Sequence, residues 1–218
     1  ETALFYGWKT DGVFQSGDEM YRINGAMSQP GDIKVLDLNV DGVVDLADRT
    51  IIGNPNPDYI YGFNLNMSYK NFSVRALFNG TEGNDIVNGN MYRFGFAEGT
   101  YRNILSEAWS DRWSSENPNG TYPRLGYSSN LFAAAMDRFV EDGSYLRLKN
   151  ITMNYDIPMR SDNFIKSANI YITGSNLFTW TNYSGYDPEI TTFMYDGLIQ
   201  GVDWTNKPNS RSVLVGVN

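Results

Sequence analysis

From Tyr59 to Tyr69 the chain alternates: Tyr59, Tyr61, Phe63, Leu65, Met67 and Tyr69 share one face, and Gly62, Asn64, Asn66 and Ser68 share the other. Only Ile60 breaks the pattern. A period of two belongs to a strand whose faces meet different surroundings, and it argues against a helix here. The next run, Phe72 to Gly80, places Phe72, Val74, Ala76 and Phe78 opposite Ser73, Arg75, Leu77 and Asn79. If Lys70 and Asn71 form a two-residue turn, Tyr69 faces Phe72, Met67 faces Val74, Leu65 faces Ala76 and Phe63 faces Phe78. The two apolar faces then coincide, although the two patterns are independent of each other.

Eleven residues from Tyr59 to Tyr69 match the roughly 9 to 11 that a tilted strand needs to cross a bilayer. The aromatics lie towards the ends of the apolar face with aliphatics between them, as where aromatic girdles flank an apolar band. A soluble sandwich uses the same hairpin, so this segment alone leaves both architectures open.

The rest of the chain separates them. Ile151, Met153, Tyr155 and Ile157 alternate with Asn150, Thr152, Asn154 and Asp156, while Ile170 and Ile172 alternate with Tyr171, Thr173 and Ser175. Pro158 to Ser167 connects this second pair. With Ala3 to Trp8 and Arg211 to Asn218, six strands are expected. Their connections run long (9–58), short (70–71), long (81–144), fairly short (158–167) and long (180–210). A barrel with short turns at one rim and long loops at the other requires that alternation, and a sandwich does not. In the second long connection, Ile104, Leu105, Ala108, Trp109 and Trp113 are spaced for a short amphipathic helix over Asn103 to Trp113. The chain opens without Met and ends in a strand-like run, and reads as a fragment.

Composition removes several classes of function. With 15 Tyr, 12 Phe, 5 Trp and 21 Gly, strands and turns are favoured over helices. The absence of His excludes an imidazole base, a Ser-His-Asp triad and His-bound metals, and the absence of Cys excludes disulfides and thiolate sites. A net charge of -8 lacks the basic footprint of a nucleic-acid surface. No apolar run approaches the length of about 18 residues expected of a membrane helix.

Several stretches resemble one family. Phe139-Val140-Glu141-Asp142-Gly143-Ser144-Tyr145-Leu146-Arg147-Leu148-Lys149-Asn150-Ile151 is similar to a signature segment of the SusC/RagA-type TonB-linked outer-membrane proteins. So are Ser175-Asn176-Leu177-Phe178, Tyr183 to Glu189, Thr10 to Gln15, and Ile52 to Asp58 followed by Tyr61-Gly62-Phe63. The matches span nearly the whole chain in order. The resemblance implies an all-β fold: the C-terminal six antiparallel strands of a barrel of about 22 strands with a plugged lumen. It further implies an outer-membrane location and contact with lipid. The expected partners are a SusD-type surface lipoprotein, TonB acting through an N-terminal part outside these residues, and an oligosaccharide or peptide ligand. No nucleic-acid partner and no enzymatic activity are expected.

The sharpest local motif is a calcium-loop pattern within residues 31–53, read as an extracellular insertion. Asp37, Asn39, Asp41, Asp45 and Asp48 occupy loop positions 1, 3, 5, 9 and 12, Gly42 occupies position 6, and Val43 offers its carbonyl at position 7. A bound Ca²⁺ is therefore expected, with an ion-free polar turn as the alternative. In the last long loop Trp180, Tyr183, Tyr186, Phe193, Tyr195 and Trp204 could stack on a sugar or hold a peptide, or simply pack the loop and build a girdle. Asp187 with Glu189, and Glu141 with Asp142, are read as loop charges or caps because catalytic carboxyl pairs usually come from separate elements. The rival to the barrel is a secreted all-β carbohydrate-binding module carrying a calcium loop.

Overall fold

The computed structural model describes residues 4–96, 103–127, 135–159, 167–190 and 199–218. The chain divides into two compact units, Glu1–Asn56 with Asp85–Glu141 and Ile190–Asn206, and Pro57–Asn84 with Asp142–Glu189 and Lys207–Asn218.

The second unit is a five-stranded antiparallel sheet. Strands Tyr59–Tyr69 and Phe72–Glu82 form a hairpin, followed across the sheet by Tyr145–Ile157, Ala168–Thr181 and Ser212–Val217. The first hairpin has the expected register, with Tyr69 paired to Phe72, Met67 to Val74, Leu65 to Ala76 and Phe63 to Phe78. Lys70 takes the positive φ of 52° that closes the turn. The neighbouring strand prolongs the ladder past it: Asn71 Nδ2 donates to the Asp156 carbonyl at 2.7 Å, and Asp156 N–H to the Asn71 carbonyl at 2.9 Å.

The two faces differ in chemistry. Phe63, Leu65, Met67, Tyr69, Phe72, Met153, Ile170, Ile172, Val213, Val215 and Val217 are all exposed, and their register puts them on one side. The opposite side is laced by bonds between directly paired residues: Thr152 with Thr173 at 3.0 Å, Asn150 with Ser175 at 3.3 Å, and Asn154 with Ser73 at 3.4 Å. A contiguous apolar face left open marks a surface that meets lipid or another protein. A sandwich would need a second sheet against that face, and this unit contains none among the described residues.

Two features depart from strict alternation. A bulge between Leu148 and Asn150 leaves Lys149 unpaired and shifts the register with both neighbouring strands. Without it Arg147 would share the face of Ile151 and Met153. The extra residue turns Arg147 to the polar side and Leu146 and Leu148 to the apolar side. The expected strand from Ala3 to Trp8, in turn, is not the sixth member of this sheet. Phe5–Gly7 pairs with Thr50–Gly53 in a two-stranded sheet of the first unit. Trp8 is drawn into that unit's core and donates its indole N–H to the Asp45 carbonyl at 2.8 Å. Gly7 permits the close approach, since a Cβ there would lie 2.1 Å from the Ala135 carbonyl oxygen.

The first unit packs very short strands around Trp8, Ile33, Val35, Val44, Phe96, Met136 and Phe139. The helix expected over Asn103 to Trp113 is only Ser106–Ser110. It stops because the chain turns to pair Arg112 with Tyr122, and Asp111 accepts the Thr121 N–H at 3.2 Å. No described helix is long and apolar enough to cross a membrane, which says nothing about a β-barrel.

Candidate functional site

The bulge at Lys149 builds the most constrained polar centre of the second unit. Arg147 is 2% exposed. Its Nε donates to Thr179 Oγ1 on the adjoining strand at 3.0 Å, its Nη1 to Glu189 at 2.6 Å, and its Nη2 to Asp187. Lys149 adds a second cation, with Nζ 2.8 and 2.9 Å from the two oxygens of Glu189. Residues further along close the cluster: Asn209 N–H donates to Asp187 Oδ2 at 2.8 Å, and Asn209 Nδ2 to Glu189 Oε2 at 3.0 Å. Burial by itself would raise the Asp187 carboxyl, but the Asn209 N–H, the Arg147 guanidinium and the Glu189 N–H hold it below the ordinary carboxylate value.

Chemically this is a latch. A guanidinium with five donors in a rigid fork can bind two carboxylates and a hydroxyl at once. It fixes the stretch from Tyr183 to Glu189 and the approach to the last strand against one point of the sheet. A cavity of about 480 Å³ adjoins it, lined by Arg147, Asn176, Tyr186, Asp187, Asn209 and Arg211 among others. Two of the stretches that carry the family resemblance, around Arg147 and around Asp187, are thus joined by ion pairs. The sequence alone reads Asp187 and Glu189 as loop charges or caps; Asp187 does accept the Glu189 and Asn209 N–H groups, and the ion pairs with Arg147 come in addition. The available signal was the odd-numbered Arg147 and Lys149 on a strand whose other odd positions are apolar, a conflict that a bulge resolves.

The described members of the expected ligand aromatics have different surroundings, each within its own unit. Trp180 is 52% exposed on the apolar side next to Phe178, with ring centroids 6.1 Å apart, opposite in face to Thr179 and Arg147. Tyr183 is buried, and Tyr186 stands exposed at the cavity beside the latch. Trp204 belongs to the first unit, where it packs on Tyr92 at 5.8 Å. Phe193 and Tyr195 lie outside the described residues.

The calcium-loop residues sit together in the first unit, hydrogen-bonded to their own backbone. Asp37 accepts from the N–H groups of Val40 and Gly42, both at 2.7 Å, Asp41 from Val43, and Asp45 from Ala47. Asn39 Nδ2 donates to Asp41 at 3.0 Å. Asp48, fully buried, closes the loop by accepting from Leu38 and Asp45 at 2.8 Å. Gly42 adopts the φ of 87° that the sharp turn needs. Val43 is engaged in a short parallel pairing with Arg22. Among the described residues, no group of three or more Asp, Glu, His or Cys side chains is arranged to hold a metal ion. As it stands, the loop is shaped by its own hydrogen bonds.

Comparison with known proteins gives a consistent picture. No family model matches the chain. It is 34% identical over 223 residues to TonB-dependent receptor P26 of Formosa agariphila, covering 99% of the chain and 22% of that relative. It is 27% identical over 214 residues to TonB-dependent receptor SusC of Bacteroides thetaiotaomicron, covering 92% of the chain and 18% of that relative. Among solved structures, the RagAB peptide transporter superposes with a TM-score of 0.75 at 25% identity, covering 98% of the chain and 22% of that protein. The RagAB peptide importer in its closed-closed state gives 0.74 at 25% identity over the same shares. The chain therefore spans about a fifth of the length of its relatives. These relatives are receptors and transporters, not enzymes.

Proposed function

Because this chain belongs to the SusC/RagA type of TonB-dependent receptor, as a C-terminal part of its barrel, we propose that it forms part of an outer-membrane importer wall. The observation that carries the reading is the five-stranded sheet with one exposed apolar face and one hydrogen-bonded polar face. In the importer the apolar face meets lipid, the polar face lines the lumen, and the long connections stand at the outer mouth. The cargo is an oligosaccharide or a peptide too large for an open porin. It is taken up with a SusD-type surface lipoprotein as lid and TonB as the source of energy.

The Arg147 latch supports this role. A receptor that opens and closes at its outer mouth needs loops that return to one geometry, and a buried guanidinium shared by two carboxylates supplies a fixed point. We also propose that the Asp37 to Asp48 loop takes up Ca²⁺ when the ion is abundant, on the strength of its spacing and the Gly42 turn. Such an ion would stiffen the outer mouth.

The reading is tested by purifying the intact receptor from native outer membrane under mild detergent. Co-purification of a surface lipoprotein, and calorimetric binding of either an oligosaccharide or a peptide pool, are expected. A receptor that comes out alone and binds neither would overturn it.

A further inference from the structure

At the end of the sheet away from the Lys70-Asn71 turn, the apolar face finishes in an amphipathic cavity of about 590 Å³. Tyr61, Gly80, Leu146 and Trp180 pair in one row across four strands. Past that row stand Glu82, Ser144 and Asn182, with Asp142 beside them, and all line the cavity together with Tyr61 and Trp180. We propose that this pocket holds the sugar headgroup of an outer-leaflet glycolipid, a reading that rests on the barrel assignment above.

The position fits. From Phe72 to Gly80 is eight residue steps, and at about 3.4 Å per residue they cover roughly 27 Å along the strand. A tilt of about 40° reduces this to roughly 20 Å of depth, close to the edge of an apolar band about 25 Å tall. The pocket thus lies where acyl chains give way to headgroups.

The chemistry fits as well. Trp180 offers a half-exposed ring face for the apolar side of a pyranose. Glu82 is exposed and forms no ion pair among the described residues, so its carboxylate is open to hydroxyl donors. Asp142 accepts the Ser144 N–H at 2.9 Å, and the hydrogen bonds from Ser144 and Asn182 hold its carboxyl below the ordinary value, so it is ionised at neutral pH. Two carboxylates repel a lipid phosphate, whereas a ring of hydroxyls donates to them.

The test reconstitutes the intact receptor in phosphatidylcholine nanodiscs containing a small fraction of monoglucosyl diacylglycerol or of phosphatidylethanolamine. Retained lipid is counted by native mass spectrometry. The glucosyl lipid should be enriched over both others, and Trp180→Ala and Glu82→Gln should each cut the enrichment about tenfold, the loss expected for one stacking or charge-assisted contact. Met67→Ala, on the same face but away from the pocket, should leave it unchanged. Equal enrichment of phosphatidylethanolamine would mean recognition of an ammonium group and overturn the proposal, as would enrichment that neither variant alters. A receptor that lacks the heat-modifiable gel shift of a folded barrel would instead sink the barrel assignment itself.

Discussion

Replacing Arg147 by Met removes the cation that two carboxylates share while keeping an apolar side chain of similar length on the strand. Breaking a buried ion pair from one side costs roughly 3 to 5 kcal/mol, because the remaining charge stays desolvated. Here the low end applies. Asp187 keeps the N–H groups of Glu189 at 2.9 Å and Asn209 at 2.8 Å, and Glu189 keeps Lys149 and is partly exposed. A loss of about 3 kcal/mol corresponds to about a hundredfold rise in the opening of the Tyr183 to Glu189 stretch. Hydrogen exchange on the intact receptor in detergent reads this directly: amides from Tyr183 to Glu189 should exchange about a hundredfold faster, and those of Tyr59 to Tyr69 at an unchanged rate. Unchanged exchange at Tyr183 to Glu189 would show that the latch bears no load. Equal acceleration in the strands would show that Arg147 holds the sheet and not the loop.

The same latch has a pH signature. Since the folded Asp187 carboxyl titrates below its ordinary value of 3.8, the stability it contributes is complete above that value and fades as pH falls through the lower folded one. Loop exchange, corrected for intrinsic rates, should be flat from pH 7 to pH 5 and rise only in stronger acid. Leu65→Arg should cost roughly 2 to 4 kcal/mol of barrel stability near mid-membrane, and Asn66→Arg much less, as read by urea unfolding in detergent or lipid. Asp48→Ala should leave the N–H groups of Leu38 and Asp45 without their acceptor and speed proteolysis between Asp37 and Asp48 while the long sheet stays folded. Calorimetry on the intact receptor should show calcium uptake that Asp41→Ala abolishes, and its absence would make the motif a polar turn alone.

The hairpin was legible because alternation and turn length together fix a register: once Lys70 and Asn71 are the turn, every later pair follows, and Phe63 stacks on Phe78 with centroids 4.6 Å apart. The second strand pair was legible below its bulge, where Met153 faces Ile172 and Tyr155 faces Ile170. Above it, one unpaired residue inverts the faces, and neither Lys149 nor Asn176 announces in one dimension which way the chain turns. Hence Arg147 was not connected with Asp187, 40 residues away. The run from Ala3 to Trp8 misled for a different reason. So short a run does not tell a barrel strand from a loop ribbon: only Phe5–Gly7 is a strand, and Trp8 is claimed by a core that exists only when distant segments meet. The aromatics of the last loop look alike as a group, yet alternation alone places Trp180 opposite in face to Thr179, on the apolar side of the sheet.

The central claim is that one face of this sheet meets lipid and the other a lumen, and cysteine scanning tests it most directly because the chain has no Cys of its own. Spin labels introduced one at a time from Phe63 to Ser68 in the intact, membrane-reconstituted receptor would be probed with oxygen, which concentrates in lipid, and with a water-soluble nickel chelate. The account predicts strict alternation: Phe63→Cys, Leu65→Cys and Met67→Cys labels relaxed by oxygen, and Asn64→Cys, Asn66→Cys and Ser68→Cys labels relaxed by nickel. Labels at Phe63, Leu65 and Met67 that neither reagent reaches would mean that the apolar face packs against protein, and the barrel account would fail.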